Sequence, residues 1–252
     1  MTLKPSICID AVFEGTPEVE AIQTVSRLGY KAIEFWMWWE KNLETILETC
    51  STEHVAIAAC CTKFVSLVDP ACRAEYLEGL EESIAAAKKL DCPTLISQVG
   101  DFRAGIPREQ QHESLVEGLR EAAKLLAGSG VTLGIEPLNE LVDHKGYYLI
   151  RSDETFEVIR EVGSSDVKVT FDIYHQQISE GNLIANILPN IDAIAHFHAA
   201  GNPGRNEITK GEIDYPAVFD AISDTGFDGY VGLEYWPSDD AVVGLSKVKD
   251  WF

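Results

Sequence analysis

Basic charge is what this sequence has least of. Twenty Lys and Arg stand against 41 Asp and Glu, a formal net charge of −21 over 252 residues. Binding phosphates requires clustered cations, so no nucleic-acid partner is expected, and no anionic membrane surface either. Ordinary solubility accounts for the acidity itself. No apolar run reaches membrane-spanning length, and the opening M-T-L-K-P-S-I-C has no apolar signal core. The six cysteines (Cys8, Cys50, Cys60, Cys61, Cys72 and Cys92) include no C-x-x-C pair. Without a secretion signal they read as reduced, mostly buried thiols of a cytoplasmic protein. Adjacent Cys60 and Cys61 would face opposite sides of a strand, which argues against one shared metal. No linker, composition break or low-complexity segment divides the chain, so residues 1–252 are expected to form one domain.

What is present is alternation. Strand-like runs occur at Ser6–Phe13, Lys31–Trp36, Val55–Cys61, Cys92–Val99, Val131–Pro137, Val167–His175, Ile194–Ala200 and Tyr230–Pro237. Between them lie helix-like runs at Pro17–Leu28, Asn42–Cys50, Asp69–Leu90, Pro107–Leu126, a segment capped by Ser152 or Asp153, Asn182–Ile191 and Tyr215–Thr225. A closing helix is expected from about Asp240 to Phe252. Strands alternating with helices imply parallel pairing, and eight such units in this length imply an α/β (β/α)8 TIM barrel. An open doubly wound sheet would carry a glycine-rich first turn, and Phe13-Glu14-Gly15-Thr16 is not one.

In such a barrel, chemistry lies at the C-terminal ends of the strands. Glu136 ends the fifth strand, Asp172 the sixth, His198 stands on the seventh and Glu234 on the eighth. Each has an ordinary alternative: a loop residue, a turn cap, a core histidine, a salt-bridge partner. All four falling at consecutive strand ends by chance is improbable. Three clustered carboxylates repel one another unless a cation compensates them. Three carboxylates and one imidazole suit a single divalent ion, Mn²⁺ or Mg²⁺, better than a thiolate-seeking metal. Around this centre, His175 and Arg205 could contact substrate, and Trp36 and Tyr147 could wall the pocket. His196 shares the strand face of His198 one layer deeper and reads as support. Glu207, Lys210 and Glu212 read as a solvated loop. The aromatic patch near Trp38 suits a subunit interface of a homo-oligomer as well as a pocket lid.

Several stretches are similar to one family: I-E-P-L-N at 135–139, G-Y-Y-L at 146–149, F-D-I-Y-H-Q-Q-I-S-E-G at 171–181, N-P-G-R-N-E at 202–207, G-E-I-D-Y-P at 211–216 and G-L-E-Y at 232–235. The chain resembles the xylose isomerase-like TIM barrel superfamily, and most closely its hydroxypyruvate isomerase family. The likeness is dense in the second half and rests on strand rhythm in the first. It implies metal ligands at Glu136, Asp172, His198 and Glu234, proton-transferring carboxylates at Glu136 and Glu234, and substrate contacts at His175 and Arg205. It also implies metal-dependent aldose–ketose isomerisation of a small hydroxy-carbonyl compound such as hydroxypyruvate or tartronate semialdehyde. At two positions the chain departs from the hydroxypyruvate isomerases: they carry Gln where His198 stands and Asp where Gly201 stands. The ketose 3-epimerases of the superfamily share the His. Epimerisation is therefore the runner-up, ahead of a sugar dehydratase and a non-catalytic sugar-binding barrel.

Overall fold

The computed structural model describes residues 3–252. Eight parallel strands close on themselves in chain order: β1 (Lys4–Cys8), β2 (Ala32–Phe35), β3 (Ala56–Cys61), β4 (Thr94–Ser97), β5 (Thr132–Ile135), β6 (Val167–Asp172), β7 (Ile194–Ala199) and β8 (Tyr230–Leu233). The closing pair is β1 with β8, in a register that sets Ile7 beside Leu233. Around the barrel run α1 (Ile9–Val12), α2 (Glu18–Arg27), α3 (Leu43–Glu53), α4 (Arg73–Leu90), α5 (Arg108–Leu126), α6 (Ser152–Val162), α7 (Ile173–Ser179), α8 (Leu183–Ile187), α9 (Tyr215–Asp224) and α10 (Ala241–Val248). No helix among the described residues is long and apolar enough to cross a membrane.

The expected order of elements holds, while several ends move. The apolar run Ser6–Phe13 breaks after Cys8 into the single turn α1. Periodicity alone cannot separate a short apolar strand from a buried helical turn. The run Val167–His175 stops at Asp172, because the Asp172 carboxylate accepts the His175 N–H at 2.9 Å and caps α7. His175 therefore sits in a helical first turn, not on the strand. Asn182–Ile191 divides into α8 and a 3-10 stretch, Leu188–Ala193, where Pro189 has no N–H to continue the α-helix.

Two sets of residues alternate along the strands. Val169, Phe171, Phe197, Val231 and Leu233 are fully buried in the main apolar core, each contributing roughly 1.5–3 kcal/mol. Ser6, Glu34, Thr170 and His196 are buried polar residues of β1, β2, β6 and β7. Ala59, Cys61 and Ile96 form a separate small apolar cluster with Trp36. The site therefore has one apolar wall and one ionic wall.

Register fixes the ionic wall. Asp172 pairs with His198, and His198 with Gly232. Gly232 is required by close approach: a Cβ there would lie 2.3 Å from Glu34 Oε1 and 2.6 Å from Oε2. Ser6 Oγ donates to the same carboxylate at 2.7 Å, so Glu34 cannot simply swing aside. We expect Gly232→Ala to destabilise the fold by about 1–3 kcal/mol, measured as a lower urea midpoint at unchanged slope.

Candidate active site

Glu136 and Glu234 are the first residues past β5 and β8, while Asp172 and His198 lie within β6 and β7. The ligand-type atoms of these four side chains all fall within 4.8 Å of one another, and all four residues are buried. His198 Nδ1 lies 2.7 Å from Glu136 Oε1 and 3.8 Å from Glu234 Oε2. Glu234 is gripped from outside the cluster as well. Its Oε1 accepts the Trp36 indole N–H at 2.6 Å, and its Oε2 accepts Arg205 Nη2, also at 2.6 Å.

The environments push the groups apart. Burial raises the Glu136 carboxyl above its ordinary range, and repulsion from Glu234 and Asp172 adds to it, with His198 offsetting part. Burial likewise raises Asp172, partly offset by Arg205 and His198. For Glu234, burial is outweighed by His198, Arg205 and the Trp36 hydrogen bond, and the net direction is down. Burial would lower His198, but Glu234, Glu136 and Glu34 outweigh it and hold the imidazolium well above its usual range.

This donor set fits a divalent cation. Asp172 Oδ2 is buried and makes no hydrogen bond, an expensive state for a carboxylate oxygen unless a cation supplies the missing partner. Three carboxylates and one imidazole are hard to borderline donors, suited to Mn²⁺ or Mg²⁺. Cys61 lines the same cavity, but its thiol is not part of the ligand group.

Three of the four, Glu136, His198 and Glu234, line a cavity of about 200 Å³. Trp36, Cys61, Ile96 and Leu138 supply apolar lining, and Phe64, Gln98, His144, Arg205 and Trp236 the rest of its polar and aromatic rim. Trp36 and Trp236 pack with ring centroids 5.9 Å apart. A larger depression of about 540 Å³ surrounds Thr94, Thr132, Lys168 and Tyr230 at the opposite ends of the strands. None of the clustered ligand groups lies there, and barrel chemistry belongs at the C-terminal ends.

Arg205 and Trp36 both line the cavity, as the sequence suggested for substrate contacts. Arg205 has a left-handed backbone, φ 53°, and its guanidinium stacks over Trp236 at 5.0 Å. Its Nη2 is spent on Glu234, whereas its buried Nε has no partner and remains as a donor. The other two expected substrate contacts sit elsewhere. His175 is fully buried behind Asp172. Its Nδ1 faces the Asn139 amide at 2.6 Å, and its Nε2 lies 3.6 Å from Asp172 Oδ2. Burial, with Arg205 and His144 nearby, holds its pKa well below the usual value, so it is neutral. Accepting at Nδ1 leaves the proton on Nε2, which makes no hydrogen bond. Its place is behind the ligand, not on the cavity wall.

Tyr147 is also a strap instead of a wall. Its hydroxyl accepts the Val99 N–H at 2.7 Å and donates to the Glu136 carbonyl at 3.1 Å, tying the ends of β4 and β5 together. An aromatic in a loop looks the same in sequence whether it meets a cavity or backbone. We expect Tyr147→Phe to cost about 1–3 kcal/mol of stability, because it orphans a buried N–H, while KM stays unchanged. Denaturant melts and steady-state kinetics check the two halves.

Glu207 departs from the solvated reading. It is 2% exposed and accepts hydrogen bonds from the Ser238 and Asp239 N–H groups and the Ser238 hydroxyl, each at 3.0 Å. Lys210 and Glu212 do lie at the surface. The residue that sequence reasoning missed is Glu34. It is 2% exposed on β2, with His196 Nε2 at 3.0 Å and His198 Nε2 at 3.1 Å. The available signal was a lone carboxylate inside the otherwise apolar A-I-E-F strand.

Residues 22–251 match the family described as Xylose isomerase-like TIM barrel. The chain is 31% identical over 232 residues to the hydroxypyruvate isomerase of Escherichia coli strain K12, covering 88% of this chain and 89% of that one. It is 38% identical over 152 residues to the 2-oxo-tetronate isomerase of Cupriavidus necator, covering 60% of this chain and 58% of the relative. Among solved structures, the one described as AP endonuclease, family 2 from Brucella melitensis superposes with a TM-score of 0.93 at 25% identity, covering 99% of each chain.

Proposed function

Because the chain belongs to the xylose isomerase-like TIM barrel family, we propose that it is a metal-dependent aldose–ketose isomerase acting on a small hydroxy-carbonyl acid of the hydroxypyruvate or 2-oxo-tetronate kind. The observation that carries this is the pairing of Glu136 and Glu234 in one buried four-ligand cluster at the floor of a cavity of about 200 Å³. The names of the similar E. coli and C. necator proteins support the reaction class. The cavity size suits a compound of a few carbons.

Glu136, Asp172, His198 and Glu234 would hold the cation. When bound, it polarises the substrate carbonyl as a Lewis acid and stabilises negative charge on oxygen in the transition state. Glu136 and Glu234 lie on strands separated by β6 and β7. One takes the proton next to the carbonyl, and the other returns a proton to the neighbouring carbon. Arg205 Nε is the donor for a substrate carboxylate, and its ion pair keeps Glu234 oriented. Trp36 fixes the other Glu234 oxygen and, with Ile96 and Leu138, excludes water from the carbon being deprotonated. The His175 backbone N–H steadies Asp172 from behind. This reading includes residues 1–252 as one barrel domain of a cytoplasmic enzyme, supported by six cysteines all free of disulfides.

Ketose 3-epimerisation is the second reading, favoured by His198 standing where the resembling hydroxypyruvate isomerases carry Gln. It uses the same two glutamates but reprotonates the opposite face of the same carbon. A nuclease reading fits poorly with a net charge of −21 and a cavity whose lining has Arg205 as its single Lys or Arg. The test is incubation with Mn²⁺ in D₂O and a panel of hydroxypyruvate, tartronate semialdehyde, tetruloses and fructose. Deuterium gained beside a carbonyl with the product isomerised supports the proposal. Inversion at C3 replaces it with epimerisation, and a conjugated absorbance replaces it with dehydration. No exchange, with sugars still raising Tm, leaves a binding barrel.

A further inference from the structure

Beneath the four-ligand cluster lies a second buried group: Glu34, His196 and His198, with Ser6. The mechanism above does not use Glu34. We propose that Glu34 is a positioning residue for the metal centre: it holds the Nε2–H of His198, so that Nδ1 presents its lone pair to the space bounded by Glu136, Asp172 and Glu234. The inference rests on the metal-dependent reading and goes beyond it by assigning the residue that sets the tautomer and orientation of the single nitrogen ligand.

The two faces of the His198 ring system are already divided in this way. Nδ1 points to Glu136 Oε1 at 2.7 Å, on the cavity side. Nε2 and Glu34 Oε1 stand 3.1 Å apart as an ion pair, and neither atom makes an aligned hydrogen bond to any group. For a buried carboxylate oxygen and a buried ring nitrogen, a charged partner at this distance compensates part of the cost of burial. The carboxylate is itself fixed. Ser6 Oγ donates to Oε2 at 2.7 Å, and His196 Nε2 lies 3.0 Å from the same oxygen. The His196 ring meets the His198 ring edge-on, with centroids 5.0 Å apart and planes at 87°, which restricts rotation of the ligand. Gly232 leaves the space that the Glu34 head group fills. A metal-bound imidazole commonly donates its other N–H to a carboxylate, which fixes the tautomer and makes the ligand more basic.

The effect to be read is metal affinity. Glu34→Gln keeps the shape and removes the charge, and we expect its Mn²⁺ dissociation constant to rise about 10–100-fold. Ser6→Ala, which leaves the carboxylate but loosens it, should shift affinity in the same direction by a smaller factor and serves if the glutamine variant does not fold. Free Mn²⁺ is followed by electron paramagnetic resonance. In parallel, ¹⁵N spectra of the Mg²⁺-loaded wild type should show His198 protonated at Nε2 and not at Nδ1. Equal Mn²⁺ affinity in wild type, Glu34→Gln and Ser6→Ala overturns the proposal alone, as does a proton found on Nδ1. A wild-type protein that binds no Mn²⁺ overturns the metal reading and this proposal with it.

Discussion

Glutamine in place of Glu136 or Glu234 lowers kcat by at least about 10³-fold, near the upper end of what one general acid or base contributes. On the proposed mechanism each substitution removes a proton-transferring group and a ligand at once, so the two losses compound. Glu234 should be the more sensitive to its surroundings, because Trp36 and Arg205 fix both of its oxygens at 2.6 Å. The fold should survive either change. Replacing one of several crowded carboxylates with an amide relieves repulsion in the ion-free protein. Single-turnover kinetics at saturating Mn²⁺, with circular dichroism of each variant, separates lost chemistry from lost structure. Variants that keep more than about a tenth of the wild-type kcat fall outside the 10²-fold minimum for such a group and would remove these residues from the reaction.

The second large effect is thermal. The buried cluster holds three carboxylates together, with Glu34 adjacent. An ion that binds the folded chain alone stabilises it by about 4 kcal/mol at a thousandfold excess over its dissociation constant. For a chain of this size each kcal/mol moves Tm by roughly 2–4 °C. We therefore expect chelation to lower Tm by about 8–16 °C, and Mn²⁺ to restore it. The pH dependence has a definite sign. Neighbouring carboxylates hold His198 protonated well above its ordinary range, and a ligand nitrogen must lose that proton. Affinity, and with it the thermal gain, should rise with pH, with proton release on binding. Calorimetry in buffers of differing ionisation enthalpy measures that release. Affinity that falls as pH rises would contradict the ligand role of His198.

The barrel and the grouping of four ligand-type side chains were legible for one reason: in alternating strand–helix chains, strand ends carry the chemistry. Glu136, Asp172, His198 and Glu234 each stand towards the C-terminal part of a different apolar run, and register then brings Asp172 beside His198. Glu34 was not legible, because its meaning depends on Ser6 and His196, which reach it only when β1, β2 and β7 share one interior. That His175 and Tyr147 lie off the cavity lining was not legible for a related reason. The His175 ring meets Asn139 and the Tyr147 hydroxyl meets Val99 and Glu136, and a sequence gives no sign of which way a loop or helix-turn aromatic faces. Glu207 turned inward because two backbone N–H groups of the β8–α10 loop needed an acceptor.

The most direct check is anomalous diffraction at the manganese edge from crystals grown with Mn²⁺. One peak is expected in each chain, bounded by Glu136, Asp172, His198 and Glu234. Side chains found spread apart with no peak between them, or a peak held by other residues, would contradict the account.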